Sequence, residues 1–424
     1  MGKPLQSVGA RPAIELPAGL ELRAIRPEEH RAYAASLRRT FGGPAPTDEE
    51  LAVSREITEF DRTLAVFEDR EIVATAGIFS YQMTVPGGTA ACGGVTRVTV
   101  MPTHRRRGLL TAMMRQQLED MHEREEPLAA LYASEAPIYG RFGYGLATYQ
   151  AEMEVTRSRA EFAGQSSSEG QVKMIDVPAA VSAFARVWER VLPTQPGMLR
   201  LDEHWWRNML RDPESQRHGF SADYRVVYES GGAPTGFALY RVKLDWDSMG
   251  PTGVLKLELL MAVDADAYRA LWHYLLGVDL MVKVIAEQRR VDEPLRFLLA
   301  DSRQPKIIIQ DGIWLRLVDV ARALAARRYA IDGRLVLEVH DQLCPWNEGR
   351  FEIDGGQSAA TCRRCDLEPD LEMTVADLGA VYLAGNRFRA LHEAGRVIER
   401  RPGALARADL MFASDRVPWC PSHF

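Results

Sequence analysis

VTRVTVMPTHRRRGLLTAMMRQQLE, residues 95–119, is the stretch that decides the fold of this 424-residue chain. Its first six residues are valine, threonine and arginine, a composition typical of a β-strand. An arginine-rich turn that contains Gly108 follows. Beyond the turn, apolar side chains recur at helical spacing and form one stripe: Leu110, Met114, Leu118 and Met121. The stretch therefore predicts a strand, a turn and an amphipathic helix that runs to about Glu125.

The junction between this strand and this helix has the features of an anion-binding site. N–H groups at the start of a helix have no partners within the helix, and the helix dipole favours a negative charge there. Gly108 allows a phosphate to approach the backbone closely. Arg105, Arg106 and Arg107 place positive charge beside it. The arginines alone would fit a solvated basic cluster equally well.

The flanking sequence predicts a mixed α/β fold. Strand-like runs before the junction are LELRAI, TLAVFED, REIVATAGIFSYQMTV and TAACGGVTRVTV, the last two separated by Gly87 and Gly88. After the helix come the buried strand PLAALYASE, the short segment APIYGRFGYG and the strand LATYQAEMEV. The polar stretch AGQSSSEGQ then predicts a domain boundary.

A second α/β unit begins near Gln171 and repeats this order of elements as a diverged internal copy. Its strands are YRVVYES, TGFALYRV and VLKLELLMA, and its helix covers Asp266 to Leu276. At the corresponding junction Asp264 and Asp266 replace the arginines and the glycine. Asp264 is predicted to cap the helix, and the two carboxylates would repel a pyrophosphate. The second copy is therefore predicted to be degenerate.

A third unit begins near Pro305, and its pattern indicates no particular chemistry. Its elements are the strand GIWLRLVDV, the helix ARALAARRYA, the strand RLVLEVHD and the strand-to-helix passage LEMTVADLGAVYLAG.

Composition excludes several classes of protein. An apolar content of 46% over 424 residues predicts two or three domains. The formal net charge of −6 argues against a general nucleic-acid-binding protein. No apolar run approaches the ~20 residues of a membrane span. The first 20 residues lack a signal peptide, and Gln6 breaks a myristoylation site. Five sparse cysteines favour a reducing cytoplasm over a disulfide framework.

The strand, the turn Arg105-Arg106-Arg107-Gly108-Leu109-Leu110 and the helix resemble the acetyl-CoA motif of the GNAT acetyltransferases. In that family an R/Q-x-x-G-x-G/A loop holds the pyrophosphate. Arg105 and Gly108 match the loop, and Leu110 replaces its final small residue. PTHRRRGLL, ALYASEAPIYGRFGYG, ALYRV, DGIWLRL and the end of the chain occur in the order found in one branch, the enhanced intracellular survival (Eis) acetyltransferases.

This resemblance covers nearly the whole chain and implies its architecture. It implies tandem GNAT folds with mixed sheets, followed by a sterol-carrier-protein-like domain. The implied ranges are a catalytic GNAT domain at 1–157, a degenerate GNAT-like domain at 158–304 and a sterol-carrier-like domain at 305–424. A homohexamer is implied as well.

The resemblance also implies roles for named residues. Acetyl-CoA is bound by Val98, Thr99 and Val100 of the strand and by the loop Arg105–Leu110. Tyr139 is the general acid that protonates the departing thiolate, and a phenol with a pKa of about 10 suits that task. The proton acceptor is the terminal α-carboxylate, carried here by Phe424. Without the resemblance, Tyr139 would be interpreted as a half-buried structural tyrosine.

Three other chemistries are weaker interpretations. Cys92 lies in a β run with no base beside it in sequence and is expected to be a core residue rather than a nucleophile. Cys362 and Cys365 form a single C-x-x-C pair, which is a weak zinc signal. His204 precedes Trp205 and Trp206, which are expected to be core aromatics rather than part of a ligand site. No metal is assigned.

The sequence therefore predicts an acetyl-CoA-dependent N-acetyltransferase for a cationic amine: an aminoglycoside, a polyamine or a lysine side chain. The alternative is a protein that senses acyl-CoA or binds an apolar ligand with little turnover. Aminoglycoside-modifying relatives carry an acidic residue where this chain has His423. Arg38 and Arg39 also lie in the segment expected at the pocket entrance, where the acids of Asp48–Glu50 could compensate.

Overall fold

The computed structural model describes residues 16–164 and 169–424. The opening residues, for which no signal peptide or myristoylation site is predicted, and the centre of the AGQSSSEGQ stretch lie outside the described residues. The chain divides into two compact units. The first unit comprises Met1–Phe79 and Val95–Asp120, and the second comprises Ser80–Gly94 and Met121–Phe424.

Eleven helices and strands precede residue 165 in the described chain. The strands are β1 (Leu20–Ala24), β2 (Thr63–Glu68), β3 (Glu71–Val85), β4 (Gly88–Val100), β5 (Leu128–Tyr132), β6 (Gly145–Leu146) and β7 (Tyr149–Thr156). The helices are α1 (His30–Thr40), α2 (Asp48–Glu56), α3 (Leu109–Glu123) and α4 (Ala136–Tyr139). The predicted strand, turn and helix around Gly108 thus correspond to β4, the turn after it and α3.

The middle of the chain forms a second α/β set. Its strands are β8 (Gln171–Met174), β9 (Tyr224–Ser230), β10 (Ala233–Lys243), β11 (Trp246–Asp247), β12 (Gly250–Pro251), β13 (Gly253–Ala262) and β14 (Met281–Arg289). Its helices are α5 (Val177–Val191), α6 (Glu203–Met209), α7 (Ala265–Gly277) and α8 (Leu295–Leu298). The helix predicted across Asp266 to Leu276 is α7.

The last part of the chain is also mixed. Its strands are β15 (Lys306–Asp311), β16 (Ile313–Leu317), β17 (Gly333–His340), β18 (Gly349–Gly355), β19 (Ala360–Arg364), β20 (Leu371–Thr374) and β21 (Ile398–Glu399). Its helices are α9 (Val320–Ala326), α10 (Val375–Tyr382), α11 (Phe388–Glu393) and α12 (Ala404–Met411).

Strands β1, β2 and β3 of the first unit pair antiparallel, whereas three sheets of the second unit combine parallel and antiparallel pairs. In the first unit the strand order is β1-β2-β3-β4. In the second unit one sheet has the order β3-β4-β5-β16-β6, another β15-β7-β14-β13-β10-β9-β8, and a third β19-β18-β17-β20-β21. The predicted α/β class with mixed sheets is confirmed.

The two GNAT-like copies share a β-α-β crossover between parallel strands. In the first copy Cys92–Gly94 of β4 pair in parallel with Leu128–Ala130 of β5, and α3 connects the two strands. In the second copy β13 pairs in parallel with β14, and α7 connects them. Parallel neighbours require such a crossover, so the repeated sequence order corresponds to a repeated structural unit.

The strand predicted to open the third unit has different neighbours. GIWLRLVDV forms β16, which pairs antiparallel with β5 and β6 of the first sheet. The preceding strand β15 pairs with β7. Ile313, Leu315 and Leu317 are fully buried, and an apolar pattern alone does not say which sheet buries a strand. The domain boundaries at 157/158 and 304/305 remain predictions.

Side-chain caps and apolar packing explain the local structure of the two junctions. In the first unit Leu109 and Met113 of α3 are buried against Val73 and Ala74 of β3. In the second copy Asp264 accepts a hydrogen bond from the backbone N–H of Ala267 at 2.8 Å. The predicted helix cap is therefore confirmed, and a carboxylate occupies the start of α7.

Within the described ranges, no helix is long and apolar enough to cross a membrane.

We expect one acetyl-CoA per chain at saturation. Asp264 places a negative charge at the start of α7, where a pyrophosphate would need N–H groups and positive charge. Isothermal titration calorimetry with acetyl-CoA measures the stoichiometry directly. Two molecules per chain would contradict the degeneracy of the second copy.

Candidate active site

The turn before α3 belongs to the first unit and has unusual backbone geometry. Arg106 and Gly108 both have left-handed backbone, with φ of +62° and +81°. A Cβ added to Gly108 would meet no atom within 4 Å. The space beside this backbone is therefore open, and the glycine is favoured by its φ rather than by crowding.

The three arginines of the turn are exposed but differ in their partners. Arg107 lies 3.7 Å from the Glu68 carboxylate, which also interacts with His104 at 3.0 Å. These neighbours lower the pKa of Glu68, chiefly through the His104 hydrogen bond. Within the described parts of the chain, Arg105 and Arg106 have no acidic partner. Two cations are thus free to meet an anion.

The end of β4, also in the first unit, is ordered by a small hydrogen-bond network. Thr99 is buried, and its hydroxyl lies 2.6 Å from that of Thr75. Thr75 also donates to the carbonyl of Arg97, which has a left-handed φ of +55°. The side chains of Val98 and Val100 pack on the core around Leu109. Their backbone groups lie beyond Cys92–Gly94, the segment that pairs with β5.

Tyr139 lies in the second unit, at the end of the single-turn helix α4. Its side chain is 6% exposed and packs edge-to-face on Tyr144 at 6.2 Å. Its hydroxyl forms no hydrogen bond with any residue that the structure describes. Burial raises the pKa of the Tyr139 phenol above its ordinary value, and the charge of Glu135 adds to the effect. A raised pKa keeps the proton on the phenol.

The last residues of the chain, in the second unit, are held by aromatic rings. The ring of Phe424 lies 5.2 Å from that of Tyr81 and 5.4 Å from that of Tyr132. His423 stacks on Tyr132 with ring centroids 3.8 Å apart. The Tyr132 hydroxyl donates to the carbonyl of Ser422 at 3.0 Å. These contacts order the chain end in one position.

A cavity of about 440 Å³ in the second unit opens beside this tail. Its lining includes Ser422 and His423 from the tail and a charged cluster centred on Arg241. The guanidinium of Arg241 is 2.9 Å from Asp223 and 3.4 Å from Glu258, and it also pairs with Asp212. Burial raises the pKa of Asp223 to about 6, and Arg241 opposes that shift. Lys256, which also lines the cavity, pairs with Glu258, so the lining carries both positive and negative charges.

The alternative chemistries lie elsewhere. Cys92 is fully buried in β4, as expected of a core residue. Burial raises the pKa of Cys362 to about 12, so its thiol is protonated at neutral pH. Among the described residues, no group of three or more His, Cys, Asp or Glu side chains is placed to bind a metal ion.

The paired tryptophans have separate environments. Trp206 is buried in the core, as predicted, and contacts Phe184 and Trp188. Trp205 is instead half-buried, with its ring 5.4 Å from that of Tyr81, and it lines the cavity. Neighbouring residues on a helix point about 100° apart, so only one of the two faces the core.

The residues predicted at the pocket entrance form ion pairs within the first unit. Arg38 lies 2.8 Å from Glu50, and Arg31 pairs with Asp48. Glu50 also closes the capping box of α2 with Thr47. Two of the three acids that could compensate for the arginines are therefore already neutralised.

Several residues of these sites were not identified from the sequence. Tyr81 and Tyr132, which contact the tail, lie in strands whose apolar character predicts only core packing. The left-handed residue Arg97 carries no sequence signal either, since such backbone is expected at glycine or asparagine. Tyr132 could have been considered because it stands at the end of a strand, where site residues often lie.

Comparison with known proteins gives a consistent picture. Residues 21–147 and 197–317 each match an acetyltransferase (GNAT) domain, and residues 320–421 match a sterol carrier protein domain. The chain is 42% identical to an N-acetyltransferase of Streptomyces avermitilis over 95% of this chain and 99% of the relative. It is 35% identical to the N-acetyltransferase Eis of Mycobacterium tuberculosis over 81% of this chain and 84% of the relative. It is similar to the crystal structure of Eis1 from Mycobacterium abscessus, with a TM-score of 0.83 and 33% identity over 95% of this chain and 100% of that one.

We expect Gly108→Asp to abolish acetyl-CoA binding and Gly108→Asn to weaken it much less. Both side chains have nearly the same shape, and both residues tolerate left-handed backbone better than others do. Only aspartate adds a negative charge. Calorimetry on the two folded variants separates charge from shape. Equal affinities would show that no phosphate group lies near residue 108.

Proposed function

Because this chain belongs to the Eis family of GNAT-domain N-acetyltransferases, we propose that it transfers the acetyl group of acetyl-CoA to a primary amine of a cationic substrate. The amine attacks the thioester carbonyl directly, so a C–N bond forms, the C–S bond breaks and no covalent acyl-enzyme is needed. The observation that carries the proposal is the open, positively charged turn before α3.

That turn has the properties required to bind the pyrophosphate of acetyl-CoA. Arg105 and Arg106 are exposed without acidic partners in the described chain, and the backbone at Gly108 is open. The N–H groups at the start of α3 point out of the helix, and Leu109 and Leu110 are its first residues. We assign the backbone of Val98, Thr99 and Val100 to the pantetheine arm and the acetyl end, and Arg107 to the rim of the phosphate site.

We assign Tyr139 as the general acid. The departing thiolate needs one proton, and a buried phenol with a raised pKa holds its proton at neutral pH. Its hydroxyl is not committed to another described residue. The proton can be transferred only when the Tyr139 hydroxyl lies within hydrogen-bond distance of the sulfur, so the position of the hydroxyl decides the rate.

We assign the α-carboxylate of Phe424 as the proton acceptor. The aromatic contacts of Phe424 with Tyr81 and Tyr132 support this role, since they hold the residue that carries the carboxylate. A carboxylate of ordinary pKa, about 3.3–3.7, is a weak base toward an ammonium group. Its work is therefore to attract and orient the amine and to relay its proton, directly or through water.

The charges of the cavity beside the tail support a substrate that carries less positive charge than an aminoglycoside. Asp223 and Glu258 bring two carboxylates to its lining, but Arg241 and Lys256, which also line the cavity, contact them. A site for a highly charged aminoglycoside would need an excess of acids. We therefore rank a lysine side chain or a polyamine above an aminoglycoside as the substrate.

We also propose a homohexamer in the cytoplasm. Exposed apolar side chains on the β11–β12 hairpin, Trp246 at 56% and Met249 at 92% exposure, support packing between copies. The small and odd number of cysteines supports a reducing compartment. Size-exclusion chromatography with light scattering measures the assembly.

The release of free CoA from acetyl-CoA, assayed with a panel of polyamines, lysine peptides and aminoglycosides, tests the proposed function. We expect rapid release of CoA with polyamines and with lysine peptides. Binding of acetyl-CoA without turnover on any amine would instead favour an acyl-CoA-sensing protein.

Tyr139→Phe is expected to lower kcat by about 10²-fold or more while acetyl-CoA still binds, because only the hydroxyl is lost. Tyr144→Phe is the matched control. The Tyr144 hydroxyl is buried beside Tyr139 and has no hydrogen-bond partner in the described structure, so its loss should leave kcat unchanged. Equal turnover in the two variants would remove the catalytic assignment of Tyr139.

One glycine appended after Phe424 is expected to abolish most amine acetylation and to leave acetyl-CoA affinity intact. The added residue turns the carboxylate into an amide and moves the charge by up to ~3.6 Å, which is too far to keep a hydrogen bond. Steady-state rates and calorimetry measure the two properties separately. Parent-like turnover would exclude the carboxylate, and Glu135→Gln would then test the nearest alternative base.

A further inference from the structure

Trp419 anchors the tail five residues before Phe424. It is almost fully buried, and its backbone N–H donates to the carbonyl of Pro196 at 2.9 Å. Its indole Nε1 donates to the carbonyl of Gln288 at 2.8 Å. Both partners belong to the degenerate GNAT-like copy, and all of these residues lie in the second unit.

The partner of the indole sits at an irregular point of β14. The pairing of β14 with β7 shifts register between Ala286 and Arg289, and Gln288 has a left-handed φ of +52°. Such backbone is uncommon for glutamine, and bulges of this kind redirect a backbone group away from its sheet. Here the redirected carbonyl accepts the indole N–H of Trp419.

A buried ion pair, formed by Arg289 and Glu293, lies next to the bulge. Arg289 donates to the Glu293 carboxylate at 3.0 Å and to the carbonyl of Leu260 at 3.0 Å. Its guanidinium also faces the Trp419 ring at 5.5 Å from the centroid. Arg289 and Glu293 are both nearly inaccessible to solvent, so the pair is not screened.

The loop after α5 holds the other side of the tail. The amide of Gln195, itself buried, donates to the carbonyl of Val417 at 2.8 Å. Gly197 has a φ of +92°, and a Cβ there would lie 3.1 Å from the carbonyl oxygen of Trp419. A side chain at residue 197 would therefore push against the tail.

We infer that Trp419 is a positioning residue for catalysis and that the degenerate copy acts as a clamp that fixes the terminal carboxylate. The clamp consists of Gln195, Gly197, Gln288 and Arg289. This inference rests on the role proposed above for the Phe424 carboxylate. The second copy lacks the arginines and the glycine of the turn before α3, but it contributes to the reaction because it fixes the position of the terminal carboxylate.

Trp419→Phe tests the clamp. Phenylalanine keeps an aromatic ring toward Arg289 but cannot donate to Gln288, so the tail loses a fixed point. We expect kcat to fall about tenfold, within the ~10²-fold that a 1 Å misplacement can cost, while acetyl-CoA affinity stays within about twofold. The decrease in kcat should be larger at low pH, where the amine is protonated and needs a base. It should become smaller as the pH approaches the pKa of the amine, because the free amine needs no base.

Trp346→Phe is the matched control. Its indole donates to the carbonyl of Val318 at 2.7 Å, so it loses the same kind of bond at a residue that contacts no part of the tail. Both variants should show a similar decrease in thermal midpoint, but only Trp419→Phe should lose turnover. Equal kcat values in the two variants, at every pH, would overturn the clamp.

Gly197→Ala gives a second, independent test from the other side of the tail. We expect it to lower kcat several-fold because the new methyl group meets Trp419. Gly232→Ala is its control, since Gly232 has a similar left-handed φ of +78° but no atom within 4 Å of an added Cβ. A loss of turnover in both, or in neither, would contradict the clamp.

Combining Trp419→Phe with the appended glycine separates this inference from the function on which it rests. If Trp419 acts through the carboxylate, the double variant should be no slower than the glycine-extended protein alone. A glycine extension without effect would refute the carboxylate role itself. A damaging extension combined with a harmless Trp419→Phe would leave that role standing and refute only the clamp.

Discussion

Parallel pairing of neighbouring strands is the constraint on which the rest of this structure depends. Two parallel strands cannot be joined by a tight turn, so the chain must cross over through a helix. In both GNAT-like copies this requirement places a helix start after the carboxyl end of a strand: α3 follows β4 after an eight-residue turn, and α7 follows β13 after two residues. Unpaired N–H groups and the positive end of a dipole are therefore built into the fold twice.

What the chain does with each helix start depends on very few atoms. Before α3, left-handed backbone at Arg106 and Gly108 leaves an open turn with exposed positive charge. Before α7, the side chain of Asp264 itself supplies the negative charge and satisfies an N–H group. The same backbone plan gives an open, positively charged turn in one case and a capped helix start in the other. At the start of α7 the side chain of Asp264 satisfies an N–H group that would otherwise need a partner from outside the helix.

The second GNAT-like copy also contacts the tail of the chain. The tail of the chain, from Val417 to Phe424, is bound at one end by the degenerate copy and at the other by aromatic side chains. A chain end is ordinarily frayed, and holding it in one place costs conformational entropy at every residue. Buried tryptophan and tyrosine hydrogen bonds offset that cost here.

The sequence alone determined the parts of this protein that depend on local pattern. Strand, turn and helix around Gly108, the repeated order of elements and the cap at Asp264 follow from short-range periodicity and from residues with strong backbone preferences. The family resemblance added the GNAT architecture and the candidate roles of Tyr139 and Phe424.

Only the tertiary structure decided which segments meet. It paired β16 with β5 and β6, directed Trp206 into the core but Trp205 into a cavity, and brought Gln288 to Trp419. Two of these contacts join residues more than a hundred positions apart. The chemical type of an apolar or aromatic side chain does not indicate which residue it will contact. The left-handed backbone of Arg97 and Gln288 could not be predicted from the sequence either, because the surrounding packing overrides the preference of these residues for negative φ.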